Sequence, residues 1–276
     1  LRIELRDELD NDRNVQLLGM PAEADWVLYG PYNFDRALVR DPFMHKLEQQ
    51  MGRYSPRCRF VEVFGNFNGG GLSQSHEYQG VYVLTEQIQI GPNRVDIAKL
   101  APSDNQEPEV TGGYIIKVDR PGAAGDVFGT RRNGAFIQVE PDVQDLTSQQ
   151  RSYIRSYVAQ TENAIYSANP TDPETGYPAL IDIPGWIDEH ILRVVAKDPD
   201  GLRFSTYLSK DRNGKLTYGP LWDFDRALAP GDDQRSANPQ GWSTVHTDFF
   251  RFHWWKPLFL VDDFAQNWVD RWWELR

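Results

Sequence analysis

The most informative part of the chain reads Lys197-Asp198-Pro199-Asp200-Gly201-Leu202-Arg203-Phe204-Ser205, followed after a gap by Gly219-Pro220-Leu221-Trp222-Asp223-Phe224-Asp225. The residues around the gap predict a β-hairpin, with strands from Phe204 to Ser209 and from Lys215 to Gly219. Asn213-Gly214 supplies the turn, because both residue types adopt positive φ at little steric cost. Two groups of carboxylates therefore flank one hairpin, and we expect them to converge at its open end.

The first 120 residues are predicted to be rich in strands. Apolar β-type runs bounded by turn residues extend over Phe60 to Phe64, Val81 to Ile90 and Tyr114 to Val118. One helix interrupts them, with Asp41 as the expected cap, Pro42 in its first turn and Gly52 at its end. Its expected apolar face consists of Phe43, Leu47 and Met51.

After residue 120 the signals are mostly helical. Thr147 with Gln150 fits a capping box that opens a helix, and Pro184 suits the first turn of another. The expected buried positions of these helices are Ile154, Val158, Thr161 and Ile165, and Ile187, Ile191, Val194 and Val195. For Trp254, Trp255, Trp268, Trp272 and Trp273, core packing is favoured over a sugar-binding platform. A strand-rich region followed by a helix-rich one predicts the α+β class.

Composition limits the class of protein. The 29 basic residues against 40 acidic ones give a net charge of −11, which disfavours a nucleic-acid binder because phosphate neutralisation needs clustered Lys and Arg. No stretch approaches the roughly twenty apolar residues that cross a bilayer. The single cysteine, Cys58, excludes an intramolecular disulfide and a cysteine-based zinc site. Its alternating surroundings predict a buried thiol in a strand in preference to a nucleophile.

The carboxylates beside the hairpin could bind a hard cation. Mg²⁺ prefers oxygen ligands, usually one or two carboxylates together with substrate phosphates. Asp200, followed five residues later by Ser205, resembles the Asp and Asn of the protein-kinase catalytic loop, and Asp223 would then occupy the position of the D-F-G aspartate. The alternative is an ordinary turn, because Asp-Pro-Asp-Gly is a common turn sequence whose carboxylates are usually solvated.

Several segments together resemble the spore-coat CotH kinase family, in the family's order and over about residues 15–230. These are Leu18-Gly19-Met20-Pro21-Ala22, Asp25 to Leu28, Arg57 to Val63, Tyr78 to Tyr82, Glu86-Gln87-Ile88, Asn93-Arg94-Val95-Asp96, Gly112 to Lys117 and Gly219 to Asp225. The resemblance implies an atypical kinase-like fold that binds ATP with a divalent metal, Mg²⁺ or Mn²⁺, and phosphorylates protein serine or threonine.

The resemblance also implies roles for individual residues. Asp200 matches the family's catalytic aspartate and Asp223 its metal-binding aspartate. Lys117 and Arg40 resemble the residues that contact the nucleotide phosphates; without the resemblance, Lys117 would be a solvated strand residue and Arg40 a surface ion-pair partner. By analogy with ordinary kinases, Glu86 would orient Lys117.

Three positions leave alternatives open. Asp225 is either a second metal ligand or a structural acceptor. Ser205 stands where many family members have Asn, and although its hydroxyl can bind a hard metal, it reaches less far. The loop between the Phe60 and Val81 strands, which begins with Gly65 to Gly71, is longer than the compact turn usual at that place. A long, flexible hairpin connection is favoured, and the alternatives are a nucleotide lid or a partner-binding insertion.

The leading hypothesis is a single kinase domain over residues 1–276, with a strand-rich N-terminal lobe (1–120) and a mostly helical C-terminal lobe (121–276). Its acceptor would be a basic, Ser-rich protein, and the family resemblance implies a secreted or cell-surface location. One alternative is a nucleotide-binding pseudokinase or cell-surface adhesion module. The other alternative is a carbohydrate-active enzyme that uses paired carboxylates, although no separate acid and nucleophile can be assigned.

Overall fold

The chain folds into two antiparallel β-sheets packed with helices. A computed structural model describes residues 1–66, 69–73, 77–122, 126–231, 233–244 and 247–276, and this part of the chain contains six α-helices. The architecture is therefore α+β, as the sequence predicts. Among the described residues, no helix has both the length and the apolar character needed to cross a bilayer.

The first sheet is built from the N-terminal third of the chain. Its strands are β1 (Arg2–Glu4), β2 (Asp25–Tyr29), β3 (Cys58–Phe64) and β4 (Tyr78–Glu86), in the order β1-β2-β4-β3. Helix α1 (Arg40–Gln50) connects β2 to β3. A small core of Met20, Trp26 and Leu84 lies against this sheet.

The second sheet contains the predicted hairpin. Its strands are β5 (Tyr114–Val118), β6 (Val127–Phe128), β7 (Phe136–Glu140), β8 (Thr206–Lys210) and β9 (Leu216–Tyr218), in the order β6-β7-β5-β8-β9. Strands β8 and β9 pair directly, and Asn213 in their turn has the expected positive φ of 53°. Strand β5 pairs with both β7 and β8, so the second sheet combines strands from both sides of residue 120.

Five helices come after β7 along the chain: three precede the hairpin and two follow it. They are α2 (Ser148–Ile165), α3 (Tyr177–Leu180), α4 (Ile183–Ala196), α5 (Trp255–Leu258) and α6 (Asp262–Leu275). The largest hydrophobic core lies between these helices and the second sheet. Trp186, Trp254 and Trp255 are fully buried there, and the rings of Trp186 and Trp254 stack with centroids 5.6 Å apart.

Most of the predicted elements are confirmed. The Thr147–Gln150 capping box forms, Pro184 lies in the first turn of α4, and the predicted buried positions of α2 are buried. Trp273, in contrast, is 61% exposed, so the core prediction is wrong for this tryptophan. Cys58 begins β3 as expected, but it is only partly buried.

Other local predictions are wrong. Strand β4 ends at Glu86, whereas the sequence predicts a run that continues to Ile90. Val195 of α4, which was expected to be buried, is exposed. In α1, Asp41 does not cap the helix, and Phe43 is exposed. The buried residues of α1 are Asp41, Met44, His45 and Glu48, a mostly polar set. Of the loop Gly65 to Gly71, Phe67 and Asn68 lie outside the described residues.

Candidate active site

Asp223 lies at the open end of the hairpin, where the sequence predicts that carboxylates converge. Its backbone has a φ of +64°, and Ser205, immediately before β8, has a φ of +53°. The Ser205 hydroxyl donates to Oδ2 of Asp223 at 2.9 Å, and the Tyr29 hydroxyl at the end of β2 donates to Oδ1 at 3.3 Å. The carboxylate is therefore held by one residue from each sheet region.

Helix α1 fixes the segment 219–225 that carries Asp223. Oδ1 of Asp41 accepts a hydrogen bond from the backbone N–H of Phe224 at 2.6 Å, and Oε2 of Glu48 accepts one from Leu221 at 2.9 Å. Gly219 adopts a φ of +107°, and a Cβ there would lie 3.2 Å from Oε1 of Glu48. The sequence did contain a signal for this face, because Asp41, His45 and Glu48 have helical spacing, but the expected apolar stripe obscured it.

Arg193 of α4 connects both ends of the hairpin, and no sequence pattern had marked it as functional. Its guanidinium is fully buried and lies 4.5 Å from the ring centroid of Phe224. It donates to the backbone carbonyl of Ser205 at 2.9 Å, to Glu189 at 3.0 Å and to the carboxylate of Asp198. Because Arg presents several donors in a rigid fork, one side chain can hold the chain on both sides of the hairpin.

The acidic cluster, defined as Asp41, Asp223 and Asp225, concentrates negative charge at this end of the hairpin. Burial, followed by the charges of Asp223 and Asp41, raises the pKa of Asp225 to about 7. Burial is also the main cause that raises the pKa of Asp41 to about 7, with Asp223 adding to it. No hydrogen bond or ion pair to the Asp225 carboxylate is formed within the described part of the chain.

Asp200 lies before the hairpin and is surrounded by arginines. Its carboxylate accepts hydrogen bonds from Arg235 at 2.8 Å and from Arg203 at 3.1 Å, and Arg226 lies 3.9 Å away. The Asp200 backbone N–H donates to Asp198 at 3.2 Å, and Asp198 in turn pairs with Arg193. Asp198 and Arg193 thus link Asp200 to Ser205 and, through it, to Asp223.

The chain belongs to the CotH kinase protein family. The family model matches residues 1–276, which is the whole chain. No curated protein matches the chain at a significant level. Membership of this family supports a kinase-like function in general.

Of the two phosphate-contacting candidates of this CotH kinase protein, Arg40 lies nearer to the acidic cluster, as the first residue of α1 next to Asp41. Its guanidinium bonds Asp35 at 2.5 Å and the backbone carbonyls of Leu228 and Ala229 at 3.4 Å. Arg40 is therefore both an ion-pair partner and a neighbour of the segment that follows Asp225.

Lys117 lies on β5, opposite Tyr207 of β8, and so belongs to the same sheet as the hairpin. Its ammonium group bonds Asp119 at 2.8 Å and is 28% exposed. Glu86, the expected partner of Lys117, does not pair with it. The fully buried carboxylate of Glu86 lies in the first sheet and pairs with Arg57 at 2.7 Å and with Arg94. The predicted Glu86–Lys117 pair is thus wrong, because Arg57, just before β3, and Arg94, in the loop after β4, already neutralise Glu86.

The donor set at the hairpin fits a hard divalent cation. Asp223, Asp225 and Ser205 supply carboxylate and hydroxyl oxygens, the ligands that Mg²⁺ and Mn²⁺ prefer. A cation would also relieve the repulsion from Asp223 and Asp41 that adds to burial in raising the pKa of Asp225. Within the described residues, no group of three or more His, Cys, Asp and Glu side chains is already arranged around one metal position. Two carboxylates with substrate phosphates are the usual pattern for Mg²⁺, and this pattern requires no such group.

Proposed function

We propose that this CotH kinase protein is an ATP-dependent kinase that transfers the γ-phosphate to serine or threonine hydroxyls of a protein, with Mg²⁺ or Mn²⁺. The observation that supports this best is the Asp223 carboxylate, held between Ser205 and Tyr29 at 2.9 and 3.3 Å and bordered by Asp225 and Asp41. Such a cluster of carboxylates suits the metal ion that accompanies ATP.

The chain's own residues would bind and orient the reactants. Asp223 and Asp225 would hold the metal, which when bound neutralises charge on the phosphates. Ser205 keeps the Asp223 carboxylate in place and presents its hydroxyl oxygen to the same site. Arg40 and Lys117 would contact the phosphates, Arg40 through its planar fork and Lys117 as a point charge.

Asp200 would orient the hydroxyl of the acceptor. The acceptor oxygen forms a bond to the γ-phosphorus while the bond from that phosphorus to the bridging oxygen breaks, and the electron pair leaves with ADP. The hydroxyl proton passes to a carboxylate oxygen of Asp200 as the new bond is completed and is then released to water. Positioning and charge neutralisation supply most of the rate enhancement in such a reaction.

The acceptor we propose is a basic, Ser-rich protein. The net charge of −11 would attract a cationic partner and speed its encounter with the kinase. A secreted or cell-surface location belongs to the same proposal, as does the arrangement of the chain as two lobes, 1–120 and 121–276. The second candidate function is a nucleotide-binding pseudokinase, favoured by one observation: Ser205 is short, and its hydroxyl is already bonded to Asp223.

The test compares wild-type protein with Asp223→Asn. Both are incubated with labelled ATP, Mg²⁺ or Mn²⁺ and a Ser-rich basic peptide, and transferred label is measured. We expect transfer by the wild type and a loss of at least about 100-fold in the variant, the scale at which loss of an electrostatic catalytic group is usually felt. Asp248→Asn changes an exposed carboxylate that pairs with Arg251 and accepts from the backbone N–H of Phe250; it is the matched control and should transfer normally.

Each result has a different meaning. Equal transfer by Asp223→Asn would contradict the metal assignment. If the wild type transfers no label but its melting temperature rises with ATP and metal, the pseudokinase function is correct. If nucleotide with metal neither stabilises the protein nor yields transfer, both candidate functions fail.

A further inference from the structure

Asp200 is held by the fork of a single arginine. Nη1 of Arg235 lies 2.8 Å from Oδ1 of Asp200, and Nη2 lies 3.4 Å from Oδ2, so the two nitrogens face the two oxygens of one carboxylate. Residue 235 lies 35 positions after Asp200 in the chain, in a short 3₁₀ turn (Gln234–Ser236). The Asp200 side chain is only 16% exposed, which restricts the directions from which an acceptor can reach it.

A second carboxylate keeps Arg235 in this orientation. Asp233 accepts hydrogen bonds from Nε of Arg235 at 3.0 Å and from Nη2 at 2.5 Å, and its Oδ1 also accepts from the Arg235 backbone N–H at 3.1 Å. Asp233 is anchored further by Arg226 at 3.1 Å. The guanidinium is therefore fixed on one edge by Asp233 and presents its other edge to Asp200.

We propose that Arg235 is a positioning residue for phosphoryl transfer: anchored by Asp233, it orients the Asp200 carboxylate toward the acceptor hydroxyl and keeps it ionised. This proposal rests on the proposed kinase function. It defines an Asp233–Arg235–Asp200 chain in which Arg235 acts through Asp200 and touches no reacting atom itself.

The charges around Asp200 support this role. The groups that face it are Arg203, Arg226 and Arg235, with Asp233 behind them. Burial works to raise the pKa of Asp200, but hydrogen bonds and charge from Arg235 and Arg203 outweigh burial and lower it. A carboxylate that stays ionised can accept the hydrogen bond of a serine hydroxyl, and it takes the proton only when the new bond makes that hydroxyl acidic.

Orientation is the larger effect. Arg203 is more exposed than Arg235 and contacts only Oδ1, and Arg226 stands 3.9 Å away, so neither can fix the plane of the carboxylate. Without the fork, the carboxylate of Asp200 could rotate toward Arg203. A displacement of about 1 Å at such a group can cost about 100-fold in rate.

The experiment measures kcat and KM for ATP and for a Ser-rich basic peptide in the wild type, Arg235→Gln and Arg235→Lys. For Arg235→Gln we expect kcat to fall roughly 10- to 100-fold while KM for ATP stays within about twofold, because within the described chain Arg235 bonds Asp200 and Asp233 and none of the proposed metal ligands. Arg235→Lys keeps the charge and one donor, and should recover part of the loss. Arg251→Gln, at a 79% exposed arginine, is the control and should match the wild type.

A second variant and a binding measurement separate positioning from folding. Asp233→Asn loosens the anchor without removing the contact, and should lower kcat in the same direction but less. Stabilisation of each variant by ADP with Mg²⁺, measured as a shift in melting temperature, should equal that of the wild type.

The outcomes distinguish the proposals. A kcat for Arg235→Gln within about twofold of the wild type overturns the positioning role but leaves the kinase function standing. A fall in kcat that comes with lost nucleotide stabilisation, and that lysine does not recover, also overturns it, because the residue is then merely structural. Wild-type protein that transfers no phosphate overturns the kinase function, and the positioning role with it.

Discussion

Ser205 is the residue through which the hairpin controls Asp223. Its hydroxyl bonds the carboxylate, while its own carbonyl is held by the buried Arg193, so its position depends on α4. The left-handed backbone at Ser205 and Asp223 turns these two side chains toward each other across the end of the hairpin. Non-glycine residues with positive φ are uncommon, and pairs of them are typical of functional sites.

The role of Ser205 can be tested by removing its hydroxyl. In Ser205→Ala the Asp223 carboxylate keeps only the longer bond from Tyr29, so it is less well oriented. We expect the Mg²⁺ concentration needed for half-maximal ATP-dependent stabilisation to rise about 10-fold, the lower end of the effect of losing a group that orients a metal ligand. The measurement is a series of melting curves with ATP at increasing Mg²⁺.

Ser209→Ala is the matched control, because Ser209 is a buried serine of β8, the strand that follows Ser205, and has no bond to the acidic cluster within the described residues. It should leave the Mg²⁺ requirement unchanged. An unchanged requirement in Ser205→Ala as well would show that the hydroxyl does not support Asp223.

Helix α4 is connected to the hairpin through Arg193, which is buried among two carboxylates and a backbone carbonyl. Removing one member of a buried ion-pair network leaves the others unpaired, and this usually costs about 3–5 kcal/mol. Arg193→Leu should therefore lower the free energy of unfolding by about this amount, measured by urea titration. It should also lower nucleotide stabilisation, because Asp198 and Ser205 lose their common partner.

The control for this variant is Arg251→Leu, where the arginine pairs with Asp248 on the surface. Exposed ion pairs contribute about 0–1 kcal/mol, so the expected change is small. If Arg193→Leu were equally mild, the network would be replaceable by apolar packing, and its role in joining the two ends of the hairpin would be refuted.

At the level of elements, the sequence predicted what local patterns encode. The α2 capping box, the Pro184 helix start and the Asn-Gly hairpin each depend on residues close together in the chain, and each is present. The buried face of α1 was missed because Asp41 and Glu48 are buried only through bonds to segment 219–225, more than 170 residues away. The Glu86–Lys117 pair failed for the same reason: its competitors Arg57 and Arg94 are tertiary partners.

The candidate site, too, has a part that local sequence patterns predict and a part that depends on tertiary contacts. The hairpin and its flanking carboxylates could be predicted, and Asp223 with Ser205 lies where expected. Arg193 and Arg235 could not: the i,i+4 spacing of Glu189 and Arg193 indicates only an ordinary helix pair, and no local pattern indicates the bond of Arg193 to the Ser205 carbonyl or that of Arg235 to Asp200. Long-range ion pairs thus decide the geometry of this site, and only the structure supplies them.

Over the whole molecule, the excess of carboxylates makes stability depend on pH. Asp41 is fully buried, and its pKa rises from the ordinary 3.8 to about 7. Between these values the folded protein retains a proton that the unfolded chain has released, so the stabilisation is complete below pH 3.8 and is lost as the pH rises toward 7. The raised pKa of Asp225 changes stability with pH in the same direction as that of Asp41. The lowered pKa of Asp200, in contrast, favours the folded state at pH values above the ordinary pKa of an aspartate.

Asp41→Asn tests this dependence without losing the bond to Phe224, because the amide oxygen can accept the same N–H. Because asparagine does not titrate, the unfolding free energy of the variant should decline less steeply between pH 5 and pH 7 than that of the wild type. The expected difference between the two slopes is on the order of 1 kcal/mol per pH unit. Urea titrations at intervals across this range supply the two slopes, with Asp248→Asn as an exposed control that should follow the wild type. Identical slopes for Asp41→Asn and the wild type would mean that Asp41 is ionised in the folded protein at neutral pH. The acidic cluster would then carry its full negative charge before any cation binds, and the expected affinity for a divalent metal would increase accordingly.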